Sequence, residues 1–155
     1  ETFWGSGVTT QIEYPGRITF ERRFGWGLEV EQRADPVPRH NNWFHIAVPC
    51  RSRNHFRGGT IVEAYMLQMR VNENARVAEI HLRDGAKLID TRAAGFVDRS
   101  VDEEFVGPTA GGRWIAFGAG ASGITLCIRV EFLSGSPTGR ATFFGAGIRL
   151  AGLDS

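Results

Sequence analysis

Apolar and polar positions alternate with a period of two through one short segment after another. Side chains two apart share one face of an extended strand, so this period predicts strands with one buried face. VTTQIEY (8–14) puts Val8, Thr10, Ile12 and Tyr14 on one face, and Pro15-Gly16 ends it in a turn. RITFERRF alternates Ile18, Phe20 and Arg22 against Thr19 and Glu21, and GWGLEVE aligns Trp26, Leu28 and Val30. ADPVPRHNN, with two prolines, reads as a loop.

The longest apolar stretch, TIVEAYMLQMRV (60–71), contains good helix formers, so a helix is the rival there. However, Ile61, Tyr65, Leu67, Met69 and Val71 alternate, broken only at Glu63, and the strand pattern is preferred. In RVAEIHLRDGAKLID, Ala78, Ile80 and Leu82 alternate with Glu79, His81 and Arg83. Asp84-Gly85 then predicts a two-residue hairpin turn with Gly85 at positive φ, and Leu88 and Ile89 start the return strand. VDRSVDEEFVGP (97–108) reads as a polar segment ending in a turn, and RWIAFGAG as a short strand. GITLCIRVEFL aligns Ile124, Leu126, Ile128, Val130 and Phe132. After the SGSPTG turn, RATFFGAGIRL closes the chain. About ten strands separated by Gly/Pro turns predict an all-β chain: one antiparallel β-sandwich over residues 1–155, jelly-roll-like, with no convincing helix.

Composition narrows the function classes. With 18 basic and 17 acidic residues, the net charge is +1, so the concentrated basic footprint of a nucleic-acid binder is missing. No apolar run approaches the roughly 20 residues of a membrane-spanning helix. A chain of 155 residues accommodates one core. The two cysteines, Cys50 and Cys127, allow one disulfide or two thiols and leave the compartment open. Glu1, with no signal-peptide pattern before it, is expected to be a processed N-terminus.

The order of YPG, FGWG, NNWFHIAVP and EIHLRDGAKLI resembles a family of small uncharacterised β-sandwich proteins of bacteria and fungi, a domain of unknown function. In that family an RGWG-type segment precedes NWFHFPIPTP, and an HIYDG hairpin follows. The resemblance covers most of the chain and implies the sandwich. It supplies neither an activity nor catalytic residues. Cys50 stands where the family continues with small or β-branched residues.

NNWFHIAVPC (41–50) is the segment where chemistry is most concentrated. As a strand it points Phe44, Ile46 and Val48 into the core, and Trp43, His45 and Ala47 the other way. A Trp ring can stack on the CH face of a pyranose while neighbouring polar groups bond its hydroxyls; Arg39, Asn41 and Asn42 are candidates for those bonds. The alternative is packing of Trp43 against a neighbouring strand or subunit. His45, Cys50 and His55 form a conceivable metal group, but no zinc-helix or CxxC spacing supports it. Asp98, Asp102, Glu103 and Glu104 are oxygen ligands without the Gly of a calcium loop, and a solvated loop explains them better. RSRNHFR (51–57) reads as a solvated basic loop, with contact to phosphate or an acidic partner as the alternative, and the glycines of 118–123 and 145–147 lie between strands and serve bends or close backbone approach. No cofactor motif is present. Recognition or self-assembly as a homo-oligomer is the leading expectation, because eleven Phe and four Trp are many for a thin sandwich. A lectin-like carbohydrate binder is the alternative, and a hydrolase with an unrecognised site a weaker one.

Overall fold

The computed structural model describes residues 2–34, 39–49, 60–107, 114–116 and 124–150. These residues form ten strands: β1 (Thr2–Ser6), β2 (Gln11–Ile12), β3 (Ile18–Phe24), β4 (Gly27–Gln32), β5 (Arg39–Val48), β6 (Thr60–Asp84), β7 (Lys87–Val106), β8 (Trp114–Ala116), β9 (Ile124–Leu133) and β10 (Gly139–Leu150). All pairings are antiparallel, in the order β2-β5-β9-β6-β10-β4-β3. There is no α-helix among the described residues, and none of their helices is long and apolar enough to cross a membrane.

A single curled sheet makes both layers of the sandwich because β6 belongs to both. Its residues 62–71 pair with β10, and its residues 75–84 pair with β9, with β7 following along its other edge. At the crossing, the Asn72 amide donates to the Thr138 carbonyl at 2.9 Å and accepts from the Arg140 amide at 3.0 Å. The turn between β9 and β10 is thereby tied to the middle of β6. The inner faces close over Phe44, which meets Phe143 at 4.6 Å and Phe132 at 6.3 Å between ring centroids. Ile124, Leu126, Ile128, Val130 and Phe132 of β9 are all buried, as their alternation predicts.

β6 changes phase at two bulges. Tyr65, Leu67, Met69 and Val71 face the core on odd positions. At the N-terminal end the register skips Glu63, the residue that interrupts the apolar pattern, and Val62 turns inward. Near the other end it skips Ala78, after which Ile80 and Leu82 face inward on even positions. A bulge adds one residue to one strand and reverses the facing of everything beyond it.

Several sequence expectations are corrected. Residues 8–14 do not form a strand: a 3-10 turn (Gly7–Thr9) precedes the two-residue β2. Ser6 Oγ accepts from the Val8 amide, and the Thr9 and Thr10 hydroxyls donate to the carbonyls of Ser6 and Gly7. Such local bonds compete with sheet pairing. Trp26 does not align with Leu28 and Val30. Phe24 pairs with Gly27, so Gly25-Trp26 is the turn and the Trp side chain is exposed. The hairpin after β6 is one residue later than expected: Asp84 pairs with Lys87, leaving Gly85-Ala86 central. Gly85 has φ 57°, and this turn needs positive φ only at its first central residue.

The polar segment 97–106 is strand, the outer half of β7. Its ladder with β6 supplies the backbone bonds, so it needs no apolar face of its own. Asp102, Glu103 and Glu104 are engaged, with Gln68, Arg99 and Arg149 in turn. Gly145 and Gly147 lie inside β10 rather than between strands, and of the two expected uses, bend or close approach, Gly147 shows the second. A Cβ on Gly147 would sit 2.9 Å from both Met66 and the Trp4 ring, so its role is the close approach of neighbours. Residues 39–42, read as loop, open β5. Cys50, His55, the 51–57 stretch and residues 118–123 lie outside the described residues, and with them any pairing of Cys50 with Cys127.

Candidate functional site

β5, β9 and β6 lie side by side, and their register sets residues in rows. Phe44, Ile128 and Ile80 form an inward row. The outward rows are polar: His45 beside Cys127 beside His81, Trp43 beside Arg129 beside Glu79, and Asn41 beside Glu131 beside Arg76. The bulge at Ala78 keeps Arg76 and Glu79 on the same face, which an unbroken alternation would have split.

Arg129 organises the middle of this face. Its Nε lies 3.2 Å from Glu79 Oε2, and its Nη1 lies 3.3 Å from Glu131 Oε1 and donates to Asn41 Oδ1 at 3.4 Å. The other Glu79 oxygen is 2.7 Å from His81 Nε2. That bond to His81, helped by Arg129, holds the Glu79 carboxyl below the usual carboxylate range. The His81 ring in turn lies against the Trp43 indole, 4.8 Å between centroids and tilted by 56°. Trp43 is therefore positioned by a chain running from Glu131 through Arg129, Glu79 and His81.

Next to Trp43 opens a pocket of about 330 Å³, lined among others by Glu13, His45, His81, Arg83 and Cys127. His45 Nε2 lies 3.8 Å from Glu13 Oε1. Burial lowers the His45 pKa, Glu13 opposes the shift, and Arg83 adds to it. Burial likewise pushes the Cys127 thiol up to about 11. At neutral pH the His45 imidazole is thus uncharged and the Cys127 thiol protonated, a poor nucleophile. The pocket offers an aromatic wall, hydrogen-bond donors and acceptors, and the side chains of Glu13 and Arg83.

The expected site residues separate. Trp43 and His45 stand together at the pocket. Asn41 shares their face and is bonded to Arg129. Asn42 is corrected: it shares the inward parity of Phe44 and is fully buried. Its Oδ1 accepts from the Tyr14 and Trp43 amides, and its Nδ2 donates to the Tyr14 carbonyl and to Gln32 Oε1. A buried amide must satisfy its bonds internally, and this one has none left for a ligand. The Arg39 side chain lies outside the described residues. Glu13, His81, Arg83 and Cys127 were not anticipated as partners of Trp43, because the register that unites them joins four distant segments. The outward parity of His81 and Arg83 was visible in sequence; their neighbours were not. Among the described residues no group of three or more His, Cys, Asp or Glu side chains is placed to hold a metal ion.

No protein-family model matches the chain, and no curated protein matches it. Solved structures with a similar course of strands include the CBM36-1 domain of a multidomain xylanase from the hindgut metagenome of Trinervitermes trinervoides, at 11% identity and TM-score 0.43, covering 99% of this chain and 100% of that one. The C-terminal CBM6 of LamC from Zobellia galactanivorans is 9% identical, with TM-score 0.42, covering 96% and 98%. The Stig cyclase Fisc from Fischerella sp. TAU is also 9% identical, with TM-score 0.37, covering 97% and 90%.

Proposed function

We propose that this chain is a non-catalytic recognition module that binds a carbohydrate on the outer face of β5, β9 and β6. The observation that carries the reading is the half-buried Trp43 ring at the edge of a polar pocket of about 330 Å³. Ligand sites combine apolar contact area with a few placed polar groups. A sugar presents both, with an apolar CH face for the indole and hydroxyls for Glu13, His45, His81 and Arg83. Arg129 and Glu79 serve as supports, since their charged atoms are already paired with each other. The protonated Cys127 thiol favours binding over covalent chemistry.

Screening the purified chain on a glycan array, followed by calorimetry with the best sugar, tests the reading. Trp43→Ala should weaken binding by at least about tenfold, a change of about 1.4 kcal/mol. His81→Ala should weaken it less, by releasing the ring. Absence of any bound glycan, or binding unaffected by Trp43→Ala, would refute the proposal.

A further inference from the structure

β3 ends the strand order, and among the described residues only β4 pairs with it. Residues 19–23 are all exposed. This holds even for Glu21 and Arg23, whose partners on β4, Val30 and Leu28, are fully buried. The edge also bears exposed rings. Phe20 is 41% exposed, and at the end of the hairpin Phe24, Trp26 and Phe144 form a run of stacked rings at 4.4 and 5.4 Å. Trp26 is 53% exposed. An unpaired edge bearing exposed rings is a template for another strand.

We propose that β3 pairs antiparallel with β3 of a second copy of this chain, centred on Arg22. A two-fold axis perpendicular to the sheet must pass through a residue position, because opposite residues share a face. Centring on Arg22 sets Glu21 opposite the partner's Arg23, and Arg23 opposite the partner's Glu21. It also sets Phe20 opposite the partner's Phe24, extending the stacked run across the junction. Centring on Glu21 would set Arg23 opposite Thr19, centring on Arg23 would set Glu21 opposite Gly25, and centring on Phe20 would leave Glu21 facing Thr19, so none of these registers makes an ion pair across the junction. The Arg22 register brings two guanidinium groups together at the axis. Each of them lies over its own Phe24 ring at 4.3 Å and has Glu29 as its cross-strand neighbour on β4. The segment Phe-Glu-Arg-Arg-Phe is therefore its own complement when reversed, which selects a second copy over an unrelated strand. The rings supply the affinity. Exposed ion pairs add little energy and set the register. The face carrying Trp43 lies on other strands and stays open.

Sedimentation at micromolar concentration tests this. The parent should run at twice its 17.1 kDa chain mass. Glu21→Arg and Phe20→Ser should each weaken the dimer by at least about tenfold, with circular dichroism melts showing folded chains. Arg23→Glu should do likewise, and mixing it with the Glu21→Arg chain should restore a heterodimer, because both cross-strand pairs are then opposite in sign. Arg23 also donates to the Val8 and Thr10 carbonyls and, within its own strand, to Glu21 Oε1, so the junction would share this pair between the two copies. If its variant does not fold, Glu21→Arg and Phe20→Ser decide the matter without it. A parent that stays monomeric overturns the proposal and leaves the edge to another protein. A dimer untouched by Glu21→Arg and Phe20→Ser overturns it too.

Discussion

Trp43 and Trp26 both reach the outer surface, and they differ in what surrounds the ring. Trp26 sits in a hairpin turn, more exposed, in a run of rings with Phe24 and Phe144. Trp43 sits in mid-strand, half-buried, against His81 and beside a pocket with polar groups. The more exposed ring has only rings stacked on it, whereas the less exposed one borders hydrogen-bonding groups that can choose among ligands. Exposure alone therefore does not rank a Trp as a recognition residue; its neighbours do. The two rings are proposed to meet different partners: a polar small ligand at Trp43, and β3 of a second copy near Trp26.

The largest effect expected is at neither Trp but behind one of them. Phe44→Ala, one residue from Trp43 and on the inner face, should cost about 3–5 kcal/mol in chemical denaturation. It calibrates what a fully buried ring contributes in this sheet.

Trp43→Ala should cost about 2 kcal/mol, because the half-buried ring packs on His81. Trp26→Ala should cost less than about 1 kcal/mol in the monomer and leave sugar binding unchanged. The comparison breaks if the Trp26 variant is the less stable of the two, or if it is the one that loses the sugar.

Gly85 borders the same pocket, at the end of the hairpin. Its φ of 57° is one that a β-branched residue resists, so Gly85→Val should cost about 1 kcal/mol or more. Thermal unfolding checks it; an unchanged midpoint would contradict the turn. No comparable loss is expected at Gly25 in the Trp26 turn, which is not at positive φ.

The smallest effect is in pH. The His45 pKa is lowered in the folded chain, chiefly by burial, from its usual 6.5. Just below 6.5 the unfolded chain binds the proton more readily, so stability rises with pH through that window and is complete above it. The melting temperature should therefore fall as pH drops below 6.5, and His45→Gln should flatten that part of the curve. Glu13 and Arg83 are the charged groups acting on this imidazole. Glu79, whose pKa is lowered from 4.5, loses its own contribution only further into acid. No matching step is expected from the rings around Trp26.

Most of the strands were legible in the sequence because alternation is imposed by a buried face. β9 reads directly, and so do the inward Phe44, Ile46 and Val48 of β5. The interruption at Glu63 and the adjacent apolar pair Val77-Ala78 mark bulges, but only the partner strands reveal them as such. The outer half of β7 stayed hidden because its strand character comes from a ladder with β6, not from its own hydrophobicity. The 8–14 segment misled in the opposite sense: its alternation is real, but Ser6, Thr9 and Thr10 bond locally.

The candidate site divides along the same line. By itself the sequence determined that Trp43 and His45 share a face and that Phe44 opposes them, because neighbouring side chains on an extended chain must point opposite ways. Only the tertiary structure decided that His81, Arg129 and Glu79 support the Trp, that Glu13 and Arg83 join the pocket, and that Asn42 is spent inside. Those outcomes depend on cross-strand register between distant segments. Register is fixed by the packing of the whole sheet, and no local stretch carries it.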